Sequence, residues 1–171
     1  MKFYTKIPLY FGLFVLVGSV LTSAIAVSER KTLTYLRTKA AANEAQLALN
    51  FSPPNLVSVY LTGIAQISGI DVTIKFDKTK IVILPSSLTA GTNFITSGGI
   101  VDEEGSIFSF SALPNKSVNN GVVASFTLQP VGGKNRETSL QFVPESAKTA
   151  VFEKTTGNNI LTKATGVKFT P

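Results

Sequence analysis

Apolar and polar side chains alternate with a period of two along most of the chain. Residues 68–84 (SGIDVTIKFDKTKIVIL) are the clearest example, because apolar side chains occupy every second position of their first half. Such alternation is typical of a β-strand that buries one face and exposes the other. We therefore expect Asp71, Thr73 and Lys75 to point away from the core. A second strand is expected to follow the break at residues 77–79.

Further alternating runs predict more strands at spacings of about ten residues, with Pro, Asn and Gly between them as in tight turns. Residues 102–105 (DEEG) predict a hairpin, and no convincing amphipathic helix follows residue 45. This pattern predicts an all-β fold, an antiparallel β-sandwich or jelly roll of about nine strands. The predicted strands are residues 46–51, 56–62, 68–76, 80–84, 106–113, 122–131, 140–143, 149–153 and 166–170, with one further run before the hairpin.

The N-terminus contains an uncharged, mostly apolar run at residues 7–27. As a helix this run would span roughly 30 Å, the thickness of a bilayer core. We expect one N-terminal transmembrane helix here, and Lys2 and Lys6 precede it as in other membrane-inserted N-termini. The residues before Val27 (AIA) also fit a signal-peptidase site, so a retained anchor and cleavage after Ala26 both stay open. In either case we expect the rest of the chain to be extracellular, on a single-pass cell-membrane protein or secreted.

The charge distribution supports a division into three parts. The net charge is +6, and residues 1–39 carry six basic residues against one acidic residue. Basic residues beside an apolar run are typical of a membrane-proximal segment, so we expect no nucleic-acid binding. We expect a membrane anchor or signal peptide at residues 1–27, a basic linker or stalk at residues 28–45, and one folded domain at residues 46–171.

The composition excludes several kinds of chemistry. The chain contains no Cys and no His, so a Cys- or His-ligated zinc site, an iron–sulfur cluster and a Ser-His-Asp triad are excluded. Asp71 and Asp77 lie six residues apart on one strand face, roughly 20 Å, which is too far for a glycosidase pair. We expect the acidic residues 102–104 to form a solvated hairpin tip rather than a calcium site. The sequence therefore predicts no enzyme, no metal site and no cofactor, although carboxylates of separate strands can meet in a folded chain.

Several segments of the predicted domain resemble the motifs of cohesin domains. Residues 69–77 and 81–83 resemble the best-marked motif of that family, an alternating strand that ends in an aromatic-Asp-Pro turn and is followed by a second strand. Lys78 stands here in the place of that Pro. Residues 121–128 resemble the penultimate strand of cohesins, and residues 157–161 with 166–170 resemble their closing strands. The resemblance implies a jelly-roll sandwich in a short membrane-anchored bacterial surface protein. The superfamily also includes carbohydrate-binding modules.

The resemblance further implies a non-catalytic module for protein–protein adhesion or scaffolding that binds its partner through one exposed sheet face. No dockerin-like calcium loop occurs in the sequence, so a dockerin-like partner would be a separate chain. Polysaccharide binding stays an alternative, although Tyr60 is the only aromatic residue for stacking on an outward position. A structural cell-envelope subunit and a merely solvated sheet face are further alternatives. The predicted partner-binding face comprises Asp71, Thr73, Lys75, Ser109, Ser111, Ser125 and Thr127.

Overall fold

The computed structural model describes residues 44–171 except 64, 103, 105, 133–135 and 144–147. These residues form thirteen β-strands and one short 3-10 turn, Pro85–Ser87, with no α-helix. None of the described segments is a helix long and apolar enough to cross a membrane. The predicted transmembrane helix at residues 7–27 and nearly all of the predicted linker at residues 28–45 lie outside the described residues.

The strands pair into two sheets. In chain order they are β1 (Ala45–Ser52), β2 (Leu56–Gly63), β3 (Ile67–Phe76), β4 (Ile81–Ile83), β5 (Thr89–Ala90), β6 (Phe94–Thr96), β7 (Ile100–Val101), β8 (Ile107–Pro114), β9 (Asn120–Pro130), β10 (Thr138–Phe142), β11 (Ala150–Glu153), β12 (Leu161–Thr165) and β13 (Val167–Phe169). The first sheet has the order β12-β1-β2-β9-β4, and β5 also pairs with β9. The second sheet has the order β13-β10-β3-β8-β6, while β11 pairs with β3 and β7 pairs with β8.

The two sheets share one hydrophobic core. The inward row of β3, which includes Ile70, Val72 and Ile74, is almost fully buried, as the alternation predicts. Phe108 of the second sheet and Phe126 of the first sheet meet in this core with ring centroids 5.0 Å apart. Aromatic contacts of this kind add to the burial of apolar area that holds the sheets together. The predicted all-β sandwich is therefore confirmed.

Two details of the predicted fold differ. The sandwich is not purely antiparallel, because β12 pairs with β1 in the parallel direction. The strands also number thirteen rather than about nine among the residues that the structure describes, since several edge strands are only two or three residues long. Gly166 separates β12 from β13, so the last part of the chain forms one edge of each sheet. β1 begins at Ala45, one residue before the predicted start of the domain.

Candidate functional site

The outer face of the second sheet brings together five of the seven predicted contact residues. β3 and β8 are neighbours at the centre of this sheet, and their outward residues stand directly opposite one another. Side chains at such opposed positions lie within contact distance. The pairs are Asp71 with Ser111, Thr73 with Ser109, and Lys75 with Ile107.

Ser125 and Thr127 do not belong to this face, so their predicted place beside Asp71 is wrong. Both lie on β9 in the first sheet, where Ser125 pairs with Ser58 and Thr127 pairs with Leu56. Alternation along a strand separates inward from outward positions, but it does not tell which of two sheets contains the strand. The two residues point outward from the opposite side of the sandwich.

Thr73 points outward as predicted, yet it is only 7% exposed. Its hydroxyl group donates a hydrogen bond to the backbone oxygen of Lys148 at 2.6 Å, and Ser109 Oγ lies 3.3 Å from the same hydroxyl. The Thr73 side chain is therefore part of the structure beneath the face rather than an open contact residue.

The cover over Thr73 comes from an interruption of the neighbouring strand. β10 and β11 both pair with the same edge of β3, and the chain leaves this ladder between Phe142 and Ala150. Thr149 fills the gap, because its Oγ1 atom accepts from the Thr73 N–H and donates to the Thr73 carbonyl, both at 3.2 Å. The Val143 N–H also donates to that carbonyl, at 2.9 Å. A side-chain hydroxyl thus replaces part of the backbone pairing.

A second interruption flanks β8 on its other side. β6 and β7 pair with β8 on either side of residues 97–99. There the Ser111 N–H donates to Ser97 Oγ at 2.8 Å, and the Ser97 N–H donates to the Ser111 carbonyl at 2.9 Å. As at Thr149, a hydroxyl group satisfies a backbone N–H where the ladder is broken.

The two interruptions border a shallow depression of about 280 Å³ at the middle of the face. We call this depression the notch. Its carboxylate belongs to Asp71, which is half-buried and accepts a hydrogen bond from the Ser111 hydroxyl at 2.6 Å. Four side chains with hydroxyl groups line the notch together with Ile100, Phe110 and Lys148. Its polar side chains are Asp71, Thr73, Ser97, Ser109, Ser111 and Lys148.

Large exposed apolar side chains stand beside the notch. Ile95 is 62% exposed and Leu113 is 59% exposed, and these two residues face each other across β6 and β8. Ile100 is 70% exposed and pairs with Ser109, which lies four residues before Leu113 on β8. Four residues of a strand span about 13 Å, so apolar side chains lie on both sides of the Asp71–Ser111 pair. We call Ile95, Ile100 and Leu113 the apolar flank.

The apolar flank is not among the contact residues predicted from the sequence. Leu113 follows Ser109 and Ser111 on the outward phase of its strand, so its exposure was readable from the alternation. Ile95 and Ile100 belong to strands of three and two residues, which are too short for any periodicity to show.

The ends of the face carry further charges. Lys75 is exposed, and Asp77 just beyond β3 is held within its own turn. The Thr79 hydroxyl and the Thr79 N–H donate to Asp77 Oδ1 at 2.6 and 3.0 Å, and Lys80 lies 3.7 Å from Oδ2. The hydrogen bonds from Thr79, helped by Lys80, lower the pKa of the Asp77 carboxyl. Within the described part of the chain, no cluster of three or more acidic residues offers a place for a metal ion.

Comparison with known proteins identifies the fold. No protein-family model and no curated protein sequence matches the chain. A type II cohesin in a cohesin–dockerin complex from Acetivibrio cellulolyticus matches with a TM-score of 0.55 at 16% identity, covering 72% of this chain and 98% of that chain. A non-cellulosomal cohesin from the archaeon Archaeoglobus fulgidus matches with a TM-score of 0.57 at 10% identity, covering 74% and 90%. A type II cohesin from Bacteroides cellulosolvens matches with a TM-score of 0.53 at 15% identity, covering 73% and 97%. The domain therefore has a cohesin-like fold.

Proposed function

Because residues 44–171 have a cohesin-like fold, we propose that the chain is a non-catalytic module that binds a separate protein through the outer face of its second sheet. The Acetivibrio cohesin named above was crystallised in a complex with a dockerin. A dockerin-like protein on another chain is accordingly the partner that we expect. Since a fold does not by itself determine a function, the proposal depends on the surface.

The apolar flank carries the proposal. Ile95, Ile100 and Leu113 are the three most exposed large apolar side chains of the described residues. Apolar side chains grouped on one face of a soluble domain are typical of a contact surface, because covering them with a partner removes them from water. Their grouping around the notch distinguishes this face from an ordinary solvated one.

The notch adds specificity to this contact. Among the described residues, Ser111 donates a hydrogen bond to Asp71, and a carboxylate has room for several more. A partner that covers the face takes water away from this carboxylate, which is unfavourable unless the partner supplies donors of its own. The partner that fits best therefore presents apolar side chains on both sides of a donor-bearing group.

We also propose that this module acts outside the cell and is held at the membrane by residues 7–27. The support is the length of the uncharged run and the basic residues after it. Intact cells treated with an external protease should lose the domain, and mass spectrometry of the membrane fraction should recover a chain that begins before residue 7. A soluble secreted product that begins at Val27 would instead support cleavage after Ala26. A cytoplasmic product would contradict both interpretations.

The binding proposal is tested with the immobilised full-length protein in detergent, incubated with secreted proteins of its source cell in calcium and in chelator. Leu113→Asp places a charge in the apolar flank of the proposed contact, so we expect at least a tenfold loss of affinity, about 1.4 kcal/mol. Leu56→Asp is the matched control, because Leu56 is 41% exposed on the opposite sheet. Calcium dependence of the captured protein would support a dockerin-like partner.

Equal capture by both variants would contradict the proposal, and so would a surface that binds only further copies of this chain. The latter result would favour the structural cell-envelope subunit. Circular dichroism and the thermal unfolding midpoint must match between the two variants, so that a loss of capture reports the contact and not the fold.

A further inference from the structure

The outer face of the first sheet differs from that of the second sheet because its central strands carry no charge. The strands β1, β2, β4, β5 and β9 contain no Asp, Glu, Lys or Arg. The nearest charged residue of this sheet is Lys163 on the edge strand β12. A neutral molecule can cover a surface without charges at no cost for removing water from a charged group.

Four short polar side chains cross this face in one row. Asn50 of β1 pairs with Ser58 of β2, Ser58 pairs with Ser125 of β9, and Ser125 pairs with Thr89 of β5. The Ser58 and Ser125 hydroxyl groups are hydrogen-bonded to each other at 2.8 Å. Because neighbouring strands lie about 4.8 Å apart, the row spans roughly 14 Å with evenly spaced hydroxyl and amide groups. We call these four residues the polar row.

Larger side chains border the polar row. Leu56 and Tyr60 lie two residues before and after Ser58 on the same outward phase of β2, and they are 41% and 39% exposed. Ser58 is only 8% exposed, whereas Asn50 and Thr89 at the two ends of the row are exposed, so the surface is lowest at Ser58, between Leu56 and Tyr60. We call this part of the face the trough. Tyr60 has the short Ala48 as its cross-strand neighbour, which leaves its ring open on that side.

We propose that this trough binds a neutral polysaccharide laid across the strands along the polar row. Sugar hydroxyl groups both donate and accept, as do the Ser and Thr hydroxyls and the Asn50 amide that they would meet. The apolar face of a sugar ring would pack on Tyr60, whose phenol combines an apolar ring with a polar tip. The trough lies on the opposite side of the sandwich from the apolar flank, so this binding is independent of the protein-binding proposal.

The absence of charge favours a neutral polysaccharide over an anionic polymer as the molecule that would occupy this trough. An anionic polymer needs basic side chains along its length, and the strands of the trough have none. Contact with a second copy of the chain would favour a more apolar surface than a row of hydroxyl groups. A neutral polymer of hydroxyl groups matches both the lack of charge and the regular spacing.

The test is calorimetric titration of the full-length protein in detergent with hexamers of β-1,4-linked glucose, mannose and xylose, and with hexagalacturonate as an anionic probe. We expect at least one neutral hexamer to bind and hexagalacturonate to bind more weakly or not at all. Tyr60→Ala should weaken that binding at least tenfold. Tyr60→Phe keeps the ring and should stay within a fewfold of the wild type, while Ser125→Ala should weaken binding severalfold.

Leu113→Asp serves as the control on the other face and should leave sugar binding unchanged. The proposal is overturned if none of the three neutral hexamers binds, if Tyr60→Ala binds as well as the wild type, or if hexagalacturonate binds as tightly. It is also overturned if Leu113→Asp removes sugar binding, or if sedimentation equilibrium shows a dimer that Tyr60→Ala dissociates. Loss of the protein partner in Leu113→Asp with sugar binding intact separates the two functions.

Discussion

Hydroxyl groups hold the outer face of the second sheet together where its strands are interrupted. Thr149 bonds to both backbone groups of Thr73, and Ser97 accepts from the N–H of Ser111. The bonds from the Thr73 N–H and the Ser111 N–H satisfy two backbone donors that the broken ladder would otherwise leave without a partner. Thr149 and Ser97 are therefore structural, and among the described residues of the notch Asp71 is the acidic side chain that we propose as a contact residue.

Replacing Thr149 tests this structural role. Thr149→Val keeps the shape of the side chain but removes the hydroxyl that serves two buried backbone groups, so we expect a loss of about 1–3 kcal/mol in the free energy of unfolding. Thr149→Ser should restore most of it. Thr155→Val is the matched control, because Thr155 is exposed and stands in a turn. Urea denaturation measures the difference, and an equal effect of both Val variants would contradict the role.

Asp77 gives a prediction about pH. The hydrogen bonds from Thr79 favour the ionised carboxylate, so the pKa of Asp77 in the folded protein should lie below the ordinary value of an aspartate. The stabilisation from this group is complete above the pKa of the unfolded chain and is lost as the pH falls through the lower, folded pKa. NMR titration of the carboxyl carbon measures the pKa, and Thr79→Ala should raise it. A pKa that does not change in Thr79→Ala would contradict the assignment.

At the scale of the elements, alternation along the strands predicted most of the core. Ile70, Val72 and Ile74 are buried as the alternation along their strand predicted, and Ser109 and Ser111 point outward. This succeeded because a strand between a core and solvent shows its two faces directly in its sequence.

The sheet that contains each strand was not predictable in the same way. Ser125 points outward, but from the first sheet, because sheet membership depends on pairing between distant segments. Thr73 is covered by the chain around Lys148, and nothing in the sequence near Thr73 indicates that contact. Alternation is a local property, and the proposed partner-binding face is assembled from non-local pairings.

The end strands of both sheets meet at Gly166, and this position tests their packing. A Cβ atom at Gly166 would lie 2.4 Å from the carbonyl oxygen of Leu140. Gly166→Ala should therefore separate β13 from β10 and lower the free energy of unfolding by roughly 1–3 kcal/mol. Gly98→Ala is the matched control, because a Cβ atom there would meet no atom within 4 Å. Equal denaturation midpoints for the two variants would contradict this close approach.

At the scale of the whole domain, the sandwich presents two different faces. The second sheet shows apolar side chains around the notch that contains Asp71, and the first sheet shows an uncharged row of hydroxyl and amide groups. Because the rigid core separates them, a substitution on one face is expected to leave binding on the other face unchanged. A single module of this kind would connect a protein partner to a neutral polymer.

We propose above all that the partner contacts the outer face of the second sheet. Hydroxyl-radical footprinting with mass spectrometry tests it most directly, on the full-length protein with and without the protein that it captures. We predict that oxidation of Ile95, Ile100 and Leu113 falls when the partner is bound, while Tyr60 and Leu56 on the opposite face are oxidised as before. Unchanged oxidation of the apolar flank, or protection of Tyr60 and Leu56 instead, would contradict the account.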